Sequence, residues 1–359
     1  DGRNETAVSI AQGTHDVTIR GFEIRDYAGK DSTGIGEAGV GAAAIATTGG
    51  NTSDVEITDT YIHNVTQSGI SVYRSTSDVQ PHSNYQIERN RIEQTRFGVV
   101  VGQADSVVVR ENSIEGTKEL NGTNESSYNG IQIAAATGVS ETSDIVVADN
   151  IIRGYYSGFG SSAISVWGAA TNGSNSTVET VDIRSNDINV EVQTRGINIV
   201  AWSEGSDSWG HVRDVDVIDN DVTTQIAADT IGLGGAPGGQ GAYENVDIVE
   251  NRVDGGDNST PTGLKILLQG AQRATGVTIA ENTVRDTAIS GVAVRTTDES
   301  IARSVSFEEN SFSTADSGLR VLASDASEVV NLAVGGNTFS GHDESALITD
   351  SSSSATIDG

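Results

Sequence analysis

The aromatic residues that could bind a ligand are concentrated in one stretch of this chain, residues 155–209. All three tryptophans lie there, beside two tyrosines and an asparagine. Aromatic faces next to amide groups hold sugar rings through apolar stacking and oriented hydrogen bonds. The stretch is therefore predicted to form a glycan-binding groove from Tyr155, Tyr156, Trp167, Asn198, Trp202 and Trp209. The alternative is that these aromatic side chains only pin long loops onto the strands below them.

Acid–base chemistry in this groove would fall to the nearest titratable residues, Glu204, Asp207 and His211. Glycoside hydrolysis uses two carboxyl groups at a fixed separation. Glu204 and Asp207 share one flexible loop, which does not by itself set such a separation. The three residues are therefore catalytic candidates that do not form a recognisable dyad.

Three aspartates form a candidate metal site. Asp182, Asp216 and Asp247 occupy the same position in three copies of a repeat, so their strands are expected to lie about 4.8 Å apart, one above the next. Hard oxygen ligands would favour Ca²⁺ or Mg²⁺ between such carboxylates. The alternative is that concentrated salt screens their repulsion without a bound ion.

The composition excludes several classes of function. The chain has no cysteine and no methionine, which rules out disulfides, thiolate metal sites and cysteine nucleophiles. Its 50 acidic residues outnumber 21 basic ones, for a net charge of -29, and such a surface repels nucleic acid and anionic membranes. Because salt at 1 M shortens the Debye length to about 3 Å, this charge predicts a halophile's protein. An ordinary acidic secreted protein is the alternative.

One pattern, VxIxxNxI, recurs along nearly the whole chain and predicts its fold. Clear copies begin at Tyr85, Val107, Ile145, Val181, Val215, Val246, Val277 and Val305, and weaker ones at Val17, Val55 and Leu332. Each copy alternates apolar and outward residues, turns at the asparagine, and precedes a second alternating strand such as GINIV from Gly196. The pattern predicts an all-β fold, a single right-handed parallel β-helix of about eleven coils that forms one domain over residues 1–359.

The repeated asparagine is predicted to be structural. At the same corner of successive coils it can hydrogen-bond its counterparts above and below, and so satisfy backbone groups that would otherwise be buried. Phe22 and Thr60 occupy this corner in the first two copies, so the N-terminal coils are predicted to turn differently.

These repeats resemble those of the right-handed parallel β-helix family, the pectate-lyase-like superfamily, over residues 15–350. Its members include polysaccharide lyases, hydrolases, epimerases, viral tailspikes and surface proteins. The resemblance implies the fold and leaves the activity open, because a solenoid scaffold hosts many functions.

Most of the enzyme motifs of that superfamily are missing from this chain. Gly210-His211 is followed by Val212, which breaks the polygalacturonase-like GHG, and Pro81-His82 is followed by Ser83 in place of the epimerase-like DPHE. The lyases of the superfamily typically use a basic residue beside bound calcium. The nearest basic residues are Lys265 and Arg320, predicted to share an outward column, and Arg295 on the coil between them.

Two functions of different classes remain. The first is an extracellular structural or adhesive solenoid of a cell surface or fibre, which binds glycans or, end to end, neighbouring subunits. The second is a polysaccharide lyase or glycoside hydrolase that acts in the aromatic groove on coils three to six. The missing motifs favour the first. Eight Asn-x-Ser/Thr sequons are consistent with a secreted glycoprotein. No apolar run is long enough for membrane insertion. The ends of the predicted solenoid have no clear cap, which predicts a piece of a longer chain.

Overall fold

In the computed structural model, the described residues form two long sheets whose neighbouring strands all pair in parallel. The described residues are 6–27, 43–73, 80–118, 120, 127–136, 140–156, 161–170, 173–191, 195–203, 207–225, 229–234, 239–256, 262–313, 316–342, 347–351 and 356–357. Each strand pairs with the equivalent strand of the next coil, and such crossover connections are right-handed in about 98% of cases. The predicted right-handed parallel β-helix is confirmed.

Sheet B contains the VxIxxN strands, one from each coil. It has twelve described strands, one more than the eleven predicted coils. They are β2 (His15–Arg20), β5 (Ser53–Thr58), β7 (His82–Glu88), β9 (Ala104–Arg110), β12 (Ser140–Ala148), β15 (Asn175–Arg184), β18 (Trp209–Ile218), β21 (Gly241–Val249), β24 (Arg273–Ala280), β27 (Ile301–Glu308), β30 (Glu328–Gly335) and β33 (Thr356–Ile357).

Sheet A contains two strands from most coils. The first directly follows the asparagine corner, and the second lies further along the chain, beyond a bend. The strands that follow the asparagine corner are β3 (Glu23–Tyr27), β10 (Ser113–Gly116), β13 (Ile151–Tyr155), β16 (Asp187–Glu191), β19 (Asp221–Gln225), β22 (Arg252–Asp254), β25 (Thr283–Arg285), β28 (Ser311–Ser313) and β31 (Thr338–Ser340). Those beyond the bend are β1 (Val8–Ala11), β4 (Ile45–Thr48), β11 (Asn129–Ala136), β14 (Ser162–Ala170), β17 (Arg195–Ser203), β20 (Asp229–Gly234), β23 (Thr262–Leu268), β26 (Ser290–Thr296), β29 (Ser317–Ala323) and β32 (Leu347–Ser351). β6 (Tyr61–Tyr73) and β8 (Arg91–Gly102) continue through the bend.

Apolar columns inside the coils form the core. The inward residues Val181, Val215 and Val246 pair directly from one coil to the next, and all three are buried. β-Branched side chains suit this packing because they fill a pleated surface with little loss of rotamer freedom. Stacking like residues on like residues therefore lets one short apolar pattern build the whole core.

The corner after each sheet B strand uses a left-handed residue followed by the repeated asparagine. Acidic residues adopt the left-handed conformation on most coils, with φ between 53° and 58° at Glu111, Asp149, Asp219, Glu250, Glu281 and Glu309. All six are exposed, and the backbone N–H of each donates to a carbonyl of the following coil. We name this stripe of carboxylates the acidic corner. The parallel register places like charges of the stripe close together along the stack.

The asparagines form the predicted ladder. Asn220 Nδ2 donates to Asn251 Oδ1 at 2.9 Å and to the Ile183 carbonyl at 2.9 Å, and its backbone N–H donates to the same Asn251 oxygen at 3.0 Å. The same bonds recur from Asn90 to Asn337. Thr60 extends the ladder, because its hydroxyl donates to Asn90 Oδ1 at 2.6 Å, so the expectation of a different turn is wrong at Thr60. Phe22 is 54% exposed, and its side chain has no hydrogen-bonding group that could join the ladder.

Substitution of a central ladder residue is expected to destabilise the chain strongly. Asn220→Ala removes the acceptor of Asn186 and the donor to the Ile183 carbonyl, and each buried polar group without a partner costs about 1–3 kcal/mol. Denaturant unfolding in about 1 M KCl should show a loss of about 3 kcal/mol. The control Asn189→Ala, at an exposed position of the preceding coil, should change stability by less than about 0.5 kcal/mol. Equal losses of stability in the two variants would show that the ladder contributes no more than an exposed asparagine does.

Candidate functional site

The strands of sheet A beyond the bend share one outward surface, which we name the sheet A face. One column of side chains runs along this face. Pairing places Gln132, Ser165, Asn198, Gly232, Lys265, Ala293 and Arg320 one above another in that order. Gln132, Ser165 and Asn198 point away from the core, yet they are 4%, 1% and 0% exposed. Outward residues of a solenoid are normally in water, whereas this part of the face is shielded from solvent.

A cluster of charged side chains lies at the centre of the face. Asp229 is buried, and its Oδ2 lies 3.2 Å from Arg195 Nε. Lys265 Nζ lies 3.0 Å from Asp229 Oδ1, without the alignment of a hydrogen bond. Arg195 also donates from Nη1 to Asn198 Oδ1 at 2.8 Å. Two cations thus share one carboxylate, and the cluster carries one formal positive charge in a chain of net charge -29.

Gly232 explains how Arg195 reaches this position. A Cβ atom at Gly232 would lie 3.4 Å from both Cδ and Nε of Arg195, so the arginine side chain covers the glycine. The missing side chain at this coil leaves a notch in the column between Asn198 and Lys265. The Cβ atom of an alanine would only touch Arg195, whereas a longer side chain would push Arg195 away from Asp229 and Asn198.

Three hydrogen-bond donors on or beside this column lack an acceptor. They are Nε1 of Trp167, Nδ2 of Asn198 and Nε of Arg320, all shielded from water in the described structure. Trp167 lies one column to the side, because it pairs with Val200 while Ser165 pairs with Asn198. A buried donor without an acceptor costs about 1–3 kcal/mol. Three such donors on one face are a set of groups that a ligand rich in oxygen atoms can satisfy.

The structure brings together only part of the predicted groove. Trp167 and Trp202 lie on neighbouring strands of the sheet A face, offset by two residues. Trp202 is partly held by backbone, since a Cβ atom at Gly239 would lie 2.7 Å from its ring. Trp209 begins β18, in sheet B, and so belongs to a different surface.

The two tyrosines differ from the prediction in another way. Tyr156 is 1% exposed and packs in the core, where burial raises the pKa of its hydroxyl. A ring in that position cannot offer its face to a sugar, so Tyr156 does not belong to a glycan site. Tyr155 ends β13, and its side chain is outside the described structure.

The structure does not assemble the predicted catalytic residues into one site. Glu204 lies outside the described residues, and Asp207 is exposed. His211 lies beside Trp209 on sheet B, with 6.2 Å between the ring centroids. Burial lowers the pKa of His211, so its imidazole is neutral at pH 7. The glycine before it, Gly210, is required by packing, because a Cβ atom there would lie 2.1 Å from the Gly168 carbonyl oxygen.

Sequence reasoning missed Arg195 and Asp229, although a signal for them existed. They are 34 residues apart, the same interval as between Asn186 and Asn220 of the ladder, which places them at equivalent positions of adjacent coils. Lys265 and Arg320 share a column as predicted, with Ala293 between them. Arg295 pairs with Leu267 and Leu322, so it lies in the neighbouring column.

The aspartate ladder has the predicted register. Asp182 pairs with Asp216, and Asp216 with Asp247. Within the described residues, however, no group of three metal-ligating side chains could hold an ion, and Asp182 pairs with Arg184 instead. Burial, followed by the charges of Asp247 and Asp182, raises the pKa of Asp216. The Ca²⁺ site therefore stays a prediction, and in the described structure the carboxylates of this ladder repel one another.

Neutralising the middle of this ladder should stabilise the chain at low salt. Because its pKa is raised in the folded state, ionised Asp216 destabilises the fold above that pKa, and the penalty vanishes as the pH falls below it. Asp216→Asn should raise the thermal midpoint by about 1–2 °C at pH 7 in about 0.1 M KCl, and by less in about 2 M KCl. The control is Glu56→Gln, on the same sheet between Thr18 and Gln86, which should shift little. A gain that persists in concentrated salt would contradict charge repulsion as the cause.

Comparison with known proteins adds little to this geometry. No protein-family model matches the sequence, and no curated protein matches it. Among solved structures, the family 28 exopolygalacturonase of Yersinia enterocolitica is 14% identical with a TM-score of 0.40, over 88% of this chain and 48% of that one. This chain thus spans about half the length of the Yersinia enzyme.

Two further structures are of other kinds. The surface adhesin PfbA of Streptococcus pneumoniae is 10% identical with a TM-score of 0.43, over 85% of this chain and 82% of that one. Tailspike protein 3 of bacteriophage CBA120 is 11% identical with a TM-score of 0.41, over 98% of this chain and 55% of that one. Similarities at this level do not extend to function, so the function is argued from the residues. The described part of the chain contains no helix with the length and hydropathy to cross a membrane.

Proposed function

We propose that this protein is an extracellular or cell-surface β-solenoid that binds a glycan along the sheet A face. The observation that carries the proposal is the set of three donors without acceptors, on Trp167, Asn198 and Arg320. A polysaccharide offers hydroxyl, ring and carboxylate oxygens along its length, and the column offers one position per coil, about 4.8 Å apart. A chain laid along the stack would therefore meet the donors in turn.

The mixture of groups at the centre of the face suits a sugar better than an apolar ligand. The half-buried indole of Trp167 supplies an aromatic surface beside the amide of Asn198. Arg195 and Lys265, both partly accessible, add charged donors. Aromatic and amide groups set next to each other in this way are typical of carbohydrate recognition.

Binding is favoured over cleavage because the described strands of this face carry a single carboxylate over β11–β29, that of Asp229. Both of its oxygens face cations, Arg195 and Lys265. Glycoside hydrolysis needs an acid and a second carboxylate across the sugar, and a lyase needs a free base. Lys265 is engaged in the ion pair, and Arg320 carries a guanidinium group that stays protonated in proteins, so the described residues of this face favour binding over cleavage.

We further propose that the protein works in concentrated salt. The acidic corner and the Asp182–Asp216–Asp247 ladder stack like charges at strand spacing, and salt near 1 M reduces the Debye length to about 3 Å. Screening would remove most of the repulsion along these columns, which dilute buffer would leave in place.

Two changes that each remove one donor test the face directly. Trp167→Phe keeps the aromatic surface without its N–H, and Asn198→Asp keeps the acceptor for Arg195 while removing the unpartnered donor. Retention on immobilised alginate, polygalacturonate, hyaluronan and dextran in about 2 M KCl should show binding to at least one, weakened about tenfold by either change. The control Asn189→Asp introduces the same charge at an exposed position and should leave retention unchanged.

Three outcomes would count against the proposal. Retention of none of the four polysaccharides would remove its basis, and retention that both variants preserve would move the site elsewhere. Release of new reducing ends or unsaturated products would instead establish the alternative, a polysaccharide hydrolase or lyase.

A further inference from the structure

A recess lies on the outer side of sheet B, separate from the sheet A face. It is a hollow of about 350 Å³. Its floor is Ala242, which pairs with His211 of the preceding coil and Arg273 of the following coil. A methyl group between two long side chains leaves a depression, and Trp209 lies along its rim.

The hollow is positively charged in a strongly negative protein. Arg273 and Arg303 both line it, and neither forms an ion pair within the described part of the chain. By contrast, ten other arginines are paired with acids. Glu244 is the one carboxylate among the lining residues. With His211 neutral, the hollow has a formal charge of +1.

Register brings the two free guanidinium groups towards one spot. Arg303 pairs with Thr275, which lies two residues beyond Arg273 on the neighbouring strand. Such diagonal neighbours have Cα atoms about 7–8 Å apart, within reach of long side chains. Guanidinium groups bind carboxylate and sulfate through paired, parallel hydrogen bonds. Two arginines at this separation can therefore hold one oxyanion between them.

Trp209 adds an apolar surface to this charge. Its half-buried ring has Arg273 Cζ 5.9 Å from its centroid and the His211 ring at 6.2 Å. A bare ion would use the arginines alone. A sugar ring that carries an anionic group would use both the indole face and the guanidinium groups.

We infer that this hollow is a second binding site, for a saccharide that carries a carboxylate or sulfate group. The sugar ring stacks on Trp209, the anionic group bonds to Arg273 and Arg303, and Glu244 accepts a bond from a sugar hydroxyl. The site shares no residue with the sheet A face, so it stands whether or not that face binds glycans.

Matched charged and uncharged sugars test the inference. In about 1 M KCl, isothermal titration with oligogalacturonate should show binding that the double variant Arg273→Gln/Arg303→Gln weakens at least about tenfold. The control Arg252→Gln removes an exposed, unpaired arginine of β22 and should change the Kd by less than about twofold. Methyl-esterified oligogalacturonate should bind the wild-type chain at least about tenfold more weakly.

A parallel titration with dextran sulfate and dextran distinguishes the two sources of the anion. Binding of either anionic sugar that depends on the two arginines supports the site, and names carboxylate or sulfate as its ligand. Equal binding of charged and uncharged sugars, or anionic binding that the double variant preserves, would overturn it.

A third variant keeps the test decisive if the double variant fails to fold. Glu244→Gln removes the like charge from the hollow and should tighten oligogalacturonate binding about twofold to threefold. Weaker binding or no change would overturn the inference. Trp209→Ala should weaken binding and Trp209→Phe should restore most of it, because the apolar ring returns. Asn198→Asp, on the sheet A face, should leave this titration unchanged.

Discussion

Each coil of this solenoid satisfies its backbone groups through the coils above and below it, and the asparagine ladder extends that dependence to the corners. Asn220 makes bonds to Ile183 on the preceding coil and to Asn251 on the following coil. Because the side chain satisfies buried backbone groups, its position is fixed in every coil. The register of both sheets is therefore set by the corner as well as by the strands.

Fixed register turns sequence repeats into columns, and the columns decide where chemistry can occur. Apolar positions stack into the core, whereas outward positions stack into stripes of like or unlike character. The aspartate ladder and the acidic corner are stripes of repulsion. The two proposed sites occur where a column is interrupted by a small residue, at Gly232 on sheet A and at Ala242 on sheet B. At Gly232 the side chain of Arg195 covers the gap, and near Ala242 the side chains of Arg273 and Arg303 line the hollow.

The repeats predict the fold class, the asparagine ladder and the aspartate register, because all three follow from position within a coil. They do not predict how the predicted groove divides, because Trp202 lies on a strand of sheet A and Trp209 on the next described strand, in sheet B. Tyr156 was expected in the groove and lies in the core. Arg195 and Asp229 were accessible to the same alignment as the asparagines, while the burial of Asn198 and the missing acceptors depend on packing that no repeat encodes.

The most direct test of glycan binding on the sheet A face is hydroxyl-radical footprinting in about 2 M KCl, with and without whichever of alginate, polygalacturonate, hyaluronan and dextran the chain retains best. The readout is side-chain oxidation of Trp167, with Phe22, which is 54% exposed, as the internal reference. Binding on this face should lower Trp167 oxidation at least about threefold and leave Phe22 unchanged. Unaltered oxidation of Trp167 under saturating polysaccharide would contradict the account.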